Sequence, residues 1–175
     1  GFETALPLNW NGRFTFSGNG GFAGSIQTSH HRIKQGFANA ATNTGHQADG
    51  MDARWALHQP ERQINFGHLA VHRTTEVAKA LVRAFYGEPP QYSYFVGCSR
   101  GGGQGLMAAQ RYPDDFDGIV AGAPALDWTG MAAEFVQNSQ ALFPDPDGPC
   151  LLDSAQLARL EAELLAQCDS LDGLK

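Results

Sequence analysis

The sequence predicts an α/β fold: a mainly parallel sheet with helices on both faces. Three observations predict it. Strand-like and helix-like segments alternate along the 175 residues, as expected of parallel strands joined by helical crossovers. A serine flanked by glycines, Gly97-Cys98-Ser99-Arg100-Gly101, stands where one of those strands runs into a helix. The 21 glycines supply the tight turns and close backbone approaches that such a chain path needs.

The elements follow in order. Arg13 to Ser17 alternates apolar and polar residues with the period of a strand. Ser17 to Gly24 is a glycine-rich loop, and Gly36 to Thr42 reads as a second strand. Thr44 to Asp52 is a polar loop, followed by a short turn or helix over Ala53 to Leu57. Phe66 to Tyr86 places Leu69, Val77, Ala80, Leu81 and Phe85 at helical spacing. Gly87 stops that helix and Pro89-Pro90 confirms the break. Gln91 to Val96 is strand-like, and Arg100 to Tyr112 is helical and ends before Pro113. Gly118 to Gly122 is a short buried strand, and Trp128 to Leu142 a helix. Phe143 to Pro149 is a Pro/Asp/Gly break and the candidate domain border. Asp153 caps a last helix running to about Ala166, with Leu157, Leu160 and Leu164 on one face.

Composition narrows the function classes. With 42% hydrophobic and 17% charged residues the chain has the makeup of a globular domain able to bury a sizeable core. The net charge is −6 and the lysines are Lys34, Lys79 and Lys175, so there is no basic stripe and nucleic acid is not an expected partner. No apolar run approaches a membrane span, so no membrane partner is expected. The chain opens on Gly1 and reads as trimmed. Its cysteines are Cys98, Cys150 and Cys168, an odd number that leaves at least one without a partner in this chain. They are either reduced thiols or the remnant of a secreted protein's disulfide set, and the count does not choose between them.

The chemistry centres on Ser99. A Gly-x-Ser-x-Gly turn between strand and helix holds its serine in a strained backbone conformation, with the hydroxyl raised above the sheet. Gly97 and Gly101 leave room for the chain to approach itself there. A glycine turn with an incidental serine is the bland alternative, and the strand-turn-helix context favours a nucleophile. Acyl transfer also needs N–H donors for the developing oxyanion. The backbone N–H of Arg100 is one, at the positive end of its helix. The second is expected from the early glycine-rich loop, at Gly20 or Gly21. That loop lacks the Gly-Lys-Ser/Thr ending of a phosphate cradle. An α/β-hydrolase fold orders its triad Ser, then Asp or Glu, then His. All six histidines, at 30, 31, 46, 58, 68 and 72, precede Ser99, so the triad His is expected outside these residues.

The sequence resembles the tannase and feruloyl esterase family, which includes the bacterial mono(2-hydroxyethyl) terephthalate hydrolases. The resemblance runs end to end. It is carried by Trp10-Asn11-Gly12-Arg13-Phe14, Gly18-Asn19-Gly20-Gly21-Phe22, Ala40 to His46, Asn65-Phe66-Gly67-His68, Gly97 to Gly105, and Ala109 to Pro124. It implies an α/β-hydrolase catalytic core, here residues 1–143, with a lid domain inserted after it that begins at residues 144–175. It implies a secreted or periplasmic serine ester hydrolase acting on small aromatic esters, feruloyl or galloyl, with Asp and His after the lid. It implies that Cys98 is bridged to a cysteine following that histidine; the partner of Cys168 is expected beyond the chain, with a pairing of Cys150 and Cys168 across the last helix left as the alternative. It further implies a structural calcium site in the lid, opened here by Asp169, Asp172 and the backbone of Leu174. Two positions depart from the pattern. Arg100 replaces a small or acidic residue, and Gly103 stands where arginine is common. The competing readings are a folded but inert fragment lacking the triad Asp and His, and acyl transfer to an acceptor other than water.

Overall fold

In the computed structural model, residues 1–169 and Leu171 are described. They fall into two compact units, Gly1–Leu126 and a second beginning at Asp127.

The first unit is a five-stranded sheet in the order β1-β3-β2-β4-β5. Its strands are β1 (Phe2–Ala5), β2 (Arg13–Ser17), β3 (Ala38–Thr42), β4 (Tyr92–Cys98) and β5 (Gly118–Gly122). All pairs are parallel except β1 with β3. The helices are α1 (His30–Lys34), α2 (Pro60–Ile64), α3 (Ala70–Tyr86) and α4 (Arg100–Arg111), with a wider π turn over Asn65–Leu69 joining α2 to α3.

The alternation of side chains along the strands decides what is buried. Phe14, Phe16, Ala38, Ala40 and Phe95 share one face and meet Val71, Ala78 and Val82 of α3 and Ala108 of α4. Phe95 is fully buried, with its ring 5.7 Å from Phe16 and 5.4 Å from Phe116. Burying each large apolar side chain here contributes about 1.5–3 kcal/mol. On the other face, the short α1 stands beside β3, where Ser29 N–H donates to Asn39 Oδ1 at 3.0 Å. A cavity of about 450 Å³ lies there, lined by Thr15, Arg32, Tyr94, Val96 and Val120 among others.

The connection from β2 goes to β3 on one side, and the connection from β3 crosses back to β4 on the other. The order therefore reverses between β2 and β4. In open α/β sheets the crevice at the carboxyl ends of two such strands is where ligands bind. The glycine loop follows β2 and Ser99 follows β4, so both candidate features emerge side by side at that crevice.

Three differences from the sequence reading have physical causes. The antiparallel β1 carries no alternation, being only four residues at the sheet margin. The helix expected from Phe66 starts at Pro60, a residue suited to the first helical turn, and passes through the π turn without stopping. His30–Lys34 forms a single helical turn with no side-chain cap.

The second unit contains α5 (Trp128–Leu142) and α6 (Ser154–Cys168). Asp127 caps α5 by accepting from Gly130 N–H, and Asp153 and Gln156 form a reciprocal capping box on α6. The Pro/Asp/Gly break at 143–149 is a turn inside this unit, closed by Leu151 N–H donating to the Leu142 carbonyl at 2.8 Å. Compactness thus groups α5 with the segment after residue 143.

Candidate active site

Ser99 occupies the turn between β4 and α4, with φ 59° and ψ −120°. A non-glycine residue in that region is strained, and such strain persists only where the surroundings impose it. The imposing contacts are visible. Ser99 N–H donates to the Gly122 carbonyl at 2.9 Å, and its own carbonyl accepts from Ala125 N–H at 3.0 Å and Gly103 N–H at 3.2 Å. These bonds tie the turn to the end of β5 as well as to α4. The side chain makes no capping bond to the helix, and the residue is exposed. Ser99 therefore stands exposed at the positive end of α4.

The tight turn depends on missing side chains. A Cβ on Gly97 would come within 2.5 Å of the Gly101 backbone, and one on Gly18 within 2.8 Å of Gly101 Cα. These approaches bring the start of the glycine loop against the first turn of α4. Gly18 N–H extends the ladder by donating to the Val96 carbonyl at 2.9 Å.

The loop's outer side is held by the segment after β3. Phe22 N–H donates to the Gly50 carbonyl at 2.7 Å, and Ala23 N–H closes a turn onto the Gly20 carbonyl at 3.0 Å. Gly21 has φ 50°, and a Cβ there would collide with the Gly50 carbonyl, whereas Gly20 faces open space. Among the described residues, the N–H groups of Gly20 and Gly21 take part in no hydrogen bond, while those of Gly18, Asn19, Phe22 and Ala23 all do.

Arg100 contributes more than its backbone. Its side chain is buried, with the guanidinium 4.2 Å from the Phe66 ring centre and Nη2 donating to the Phe66 carbonyl in the π turn. Burial lowers its pKa to about 10, so it stays charged at neutral pH. It packs beside Gly103, where a Cβ would strike the Ala125 carbonyl. The two departures noted in the sequence thus sit together: a large side chain at 100 is folded away over a position kept bare at 103.

None of the histidines is hydrogen-bonded to Ser99 among the described residues. His68 Nδ1 meets Tyr112 Oη at 2.8 Å, and His72 Nδ1 meets Asp115 Oδ2 at 2.9 Å. The buried Asp115 is also held by neighbours, with Lys79 Nζ donating to its backbone carbonyl at 2.5 Å. Burial raises the Asp115 pKa, and the nearby His72 opposes that rise.

His46, expected as a polar-loop residue, is buried. Its Nε2–H donates to the Phe22 carbonyl at 3.0 Å, Nδ1 lies 3.3 Å from Thr44 Oγ1, and its ring stacks 3.7 Å from Trp55. Burial lowers its pKa below the usual 6.5. The unfolded chain therefore takes up a proton before the folded one does. Stability is full above the unfolded value of about 6.5 and is lost as pH falls towards the lowered folded value. Urea unfolding followed by tryptophan fluorescence is expected to show a falling midpoint below about pH 6.5, and His46→Gln should flatten part of that slope. The burial-lowered His68 acts with the same sign.

Cys98, Cys150 and Cys168 are unpaired thiols in this structure. Asp169 directly follows α6, whereas Asp172 and Leu174 lie outside the described residues. Among the described residues no three carboxylate, imidazole or thiolate side chains converge on a metal-sized point, so the residues described do not by themselves form a calcium site. No helix of the described residues is long and apolar enough to cross a membrane.

Comparison with known proteins places the whole chain in one family. The family model for tannase and feruloyl esterase matches residues 1–175. Feruloyl esterase B of Aspergillus niger is 38% identical over 175 residues, covering 98% of this chain and 33% of that protein. The crystal structure of feruloyl esterase B from Aspergillus oryzae superposes with a TM-score of 0.89 at 35% identity, covering 98% of this chain and 34% of the other. The tannin acyl hydrolase of Aspergillus niger gives 0.80 at 27% identity, with 98% and 33% covered. The chain spans about a third of the length of the relatives it matches. With the elbow, the adjoining glycine loop and a match along its whole length, this chain belongs to the tannase and feruloyl esterase family of α/β hydrolases.

Proposed function

We propose that this chain supplies the nucleophile and oxyanion donors of a secreted serine hydrolase that cleaves esters of aromatic acids. The observation that carries this reading is Ser99: exposed, strained at φ 59°, and free of any capping bond at the head of α4. The relatives named feruloyl esterase and tannin acyl hydrolase support aromatic acyl groups, feruloyl or galloyl. In the reaction, Ser99 Oγ bonds to the ester carbonyl carbon while its proton passes to a base. The carbonyl oxygen becomes an oxyanion facing the N–H groups of Arg100 and of Gly20 or Gly21. Collapse breaks the ester C–O bond and expels the protonated alcohol. Water then cleaves the acyl-enzyme, releasing the acid and restoring the serine. The base histidine is contributed from outside these 175 residues, since all six histidines present precede Ser99 and His46, His68 and His72 are already bonded to Phe22, Tyr112 and Asp115; its carboxylate partner comes with it.

Residues 144–175 begin the lid. Asp169, Asp172 and the Leu174 backbone are part of a structural calcium site whose remaining ligands lie elsewhere, oxygen donors being what calcium prefers. Cys98 and Cys168 are bridged to cysteines outside the chain, which accords with secretion. Tight stoichiometric calcium binding by the 175 residues alone would contradict the incomplete site. The activity is tested on the full-length protein with methyl ferulate, methyl gallate and an aliphatic ester of similar size. Faster turnover of the aromatic esters is expected, and equal turnover of all three removes the aromatic assignment.

A further inference from the structure

Asn19 and Gln104 are 85 residues apart in sequence and form a reciprocal pair behind the candidate oxyanion loop. Gln104 Oε1 accepts from Asn19 N–H at 2.9 Å, and Gln104 Nε2 donates to Asn19 Oδ1 at 3.3 Å. Both residues are almost completely buried, at 1% and 4% exposure. Asn19 Nδ2 spends its two hydrogens on the carbonyls of Thr42, at 2.8 Å, and Ser25, at 3.0 Å. The side chains thus join three elements: the end of β3, the glycine loop, and the second turn of the helix headed by Ser99.

We infer that Gln104, acting through Asn19, is a positioning residue that sets the distance between the oxyanion-loop amides and Ser99. The next two amides after Asn19 are those of Gly20 and Gly21, which make no other hydrogen bond among the described residues. Gly20 has no side chain and nothing near its Cβ position, so its amide is placed through its neighbours: Ala23 N–H holds its carbonyl on the outer side, and Asn19 holds the side facing α4. The contact with α4 nearest to it in the chain is that of Asn19, one peptide away. Gln104 is suited to this task because a carboxamide offers an acceptor to a backbone N–H and a donor to a side-chain oxygen at once. Amides fixed in advance stabilise developing charge without reorganising, and small misplacements are costly.

This inference rests on the acyl-enzyme reading above, and its test separates the two. In the full-length protein, kcat and KM for an activated aromatic ester are measured for Ser99→Ala, Gln104→Met and Gln104→Glu. Affinity for an aryl boronic acid is measured alongside, because its boron bonds to Ser99 Oγ and places an oxygen where the oxyanion forms. Gln104→Met is expected to lower kcat about 10- to 100-fold with KM within about two-fold, and to weaken boronate binding by the same factor as kcat. Gln104→Glu keeps an acceptor for Asn19 N–H and is expected to lose less of both. If Gln104→Met does not fold, the matched loss of kcat and boronate affinity is read in Gln104→Glu. A folded Gln104→Met with wild-type kcat, or a kcat loss with unchanged boronate affinity, overturns the inference. An inert Ser99→Ala beside that result leaves the acyl-enzyme reading standing, whereas an active Ser99→Ala removes the reading itself.

Discussion

Ser99→Ala in the full-length protein is expected to abolish the burst of acyl-enzyme with an activated aromatic ester and to lower turnover on the order of 10⁶-fold. A serine hydroxyl is a weak nucleophile until a base takes its proton, so nucleophile and base act as one unit. The 175-residue chain alone should behave like the variant, because its buried or paired histidines, His46, His68 and His72, already bond to Phe22, Tyr112 and Asp115. Stopped-flow detection of the released alcohol distinguishes the cases. A Ser99-dependent burst from the isolated chain would mean that an upstream histidine serves as base, and the triad order assumed here would be wrong. Fold and activity separate cleanly in this experiment, since removing an exposed hydroxyl that makes no capping bond costs the fold little.

The second large effect is expected at Gly97. An alanine there puts its Cβ within 2.5 Å of the carbonyl of Gly101, a backbone atom in the first turn of α4. Backbone cannot rotate aside as a flexible side chain would, so β4 and α4 must separate. Overpacking of this kind costs about 1–3 kcal/mol in stability. The same separation moves Ser99 away from the loop amides. A displacement near 1 Å is expected to lower kcat/KM about 10²-fold. Thermal unfolding and ester hydrolysis of Gly97→Ala in the full-length protein check both parts. Wild-type activity in that variant would show that the elbow tolerates an opening that its geometry forbids. By contrast, Gly87→Ala carries a positive φ of 84° but meets no atoms near its Cβ, so its cost is the backbone strain alone and activity should be spared.

How much of the site is legible in the sequence depends on the range of the forces involved. The elbow is legible because its requirements are local. A strand, two glycines, a serine and a helix within about a dozen residues leave few other ways to fold. The glycine loop is legible as a candidate for the same reason. The choice between Gly20 and Gly21 is not, because the loop that leaves both amides without a hydrogen bond is placed by contacts with Gly50, Gln104 and Gly101, none of them close in sequence. Asn19 and Gln104 carry no signal of their own, since a buried carboxamide pair looks in sequence like two ordinary polar residues. His46 misleads for the related reason that a histidine among Thr, Gly, Asp and Gln reads as solvated. Its burial comes from Trp55 and from the Phe22 carbonyl.

The sequence by itself determined the mainly parallel α/β character of the sheet, the position of the Ser99 elbow between strand and helix, and the upstream placement of every histidine. These follow from periodicity, turn chemistry and residue order, which are properties of the chain before it folds. The tertiary structure alone decided the strand order and, with it, the reversal point that sets the glycine loop beside Ser99. It also decided that Arg100 folds over Phe66, and that Asn19 and Gln104 meet across 85 residues. Those outcomes depend on which buried polar groups find partners once the sheet has closed on its helices, and a buried group must find one wherever in the chain it lies.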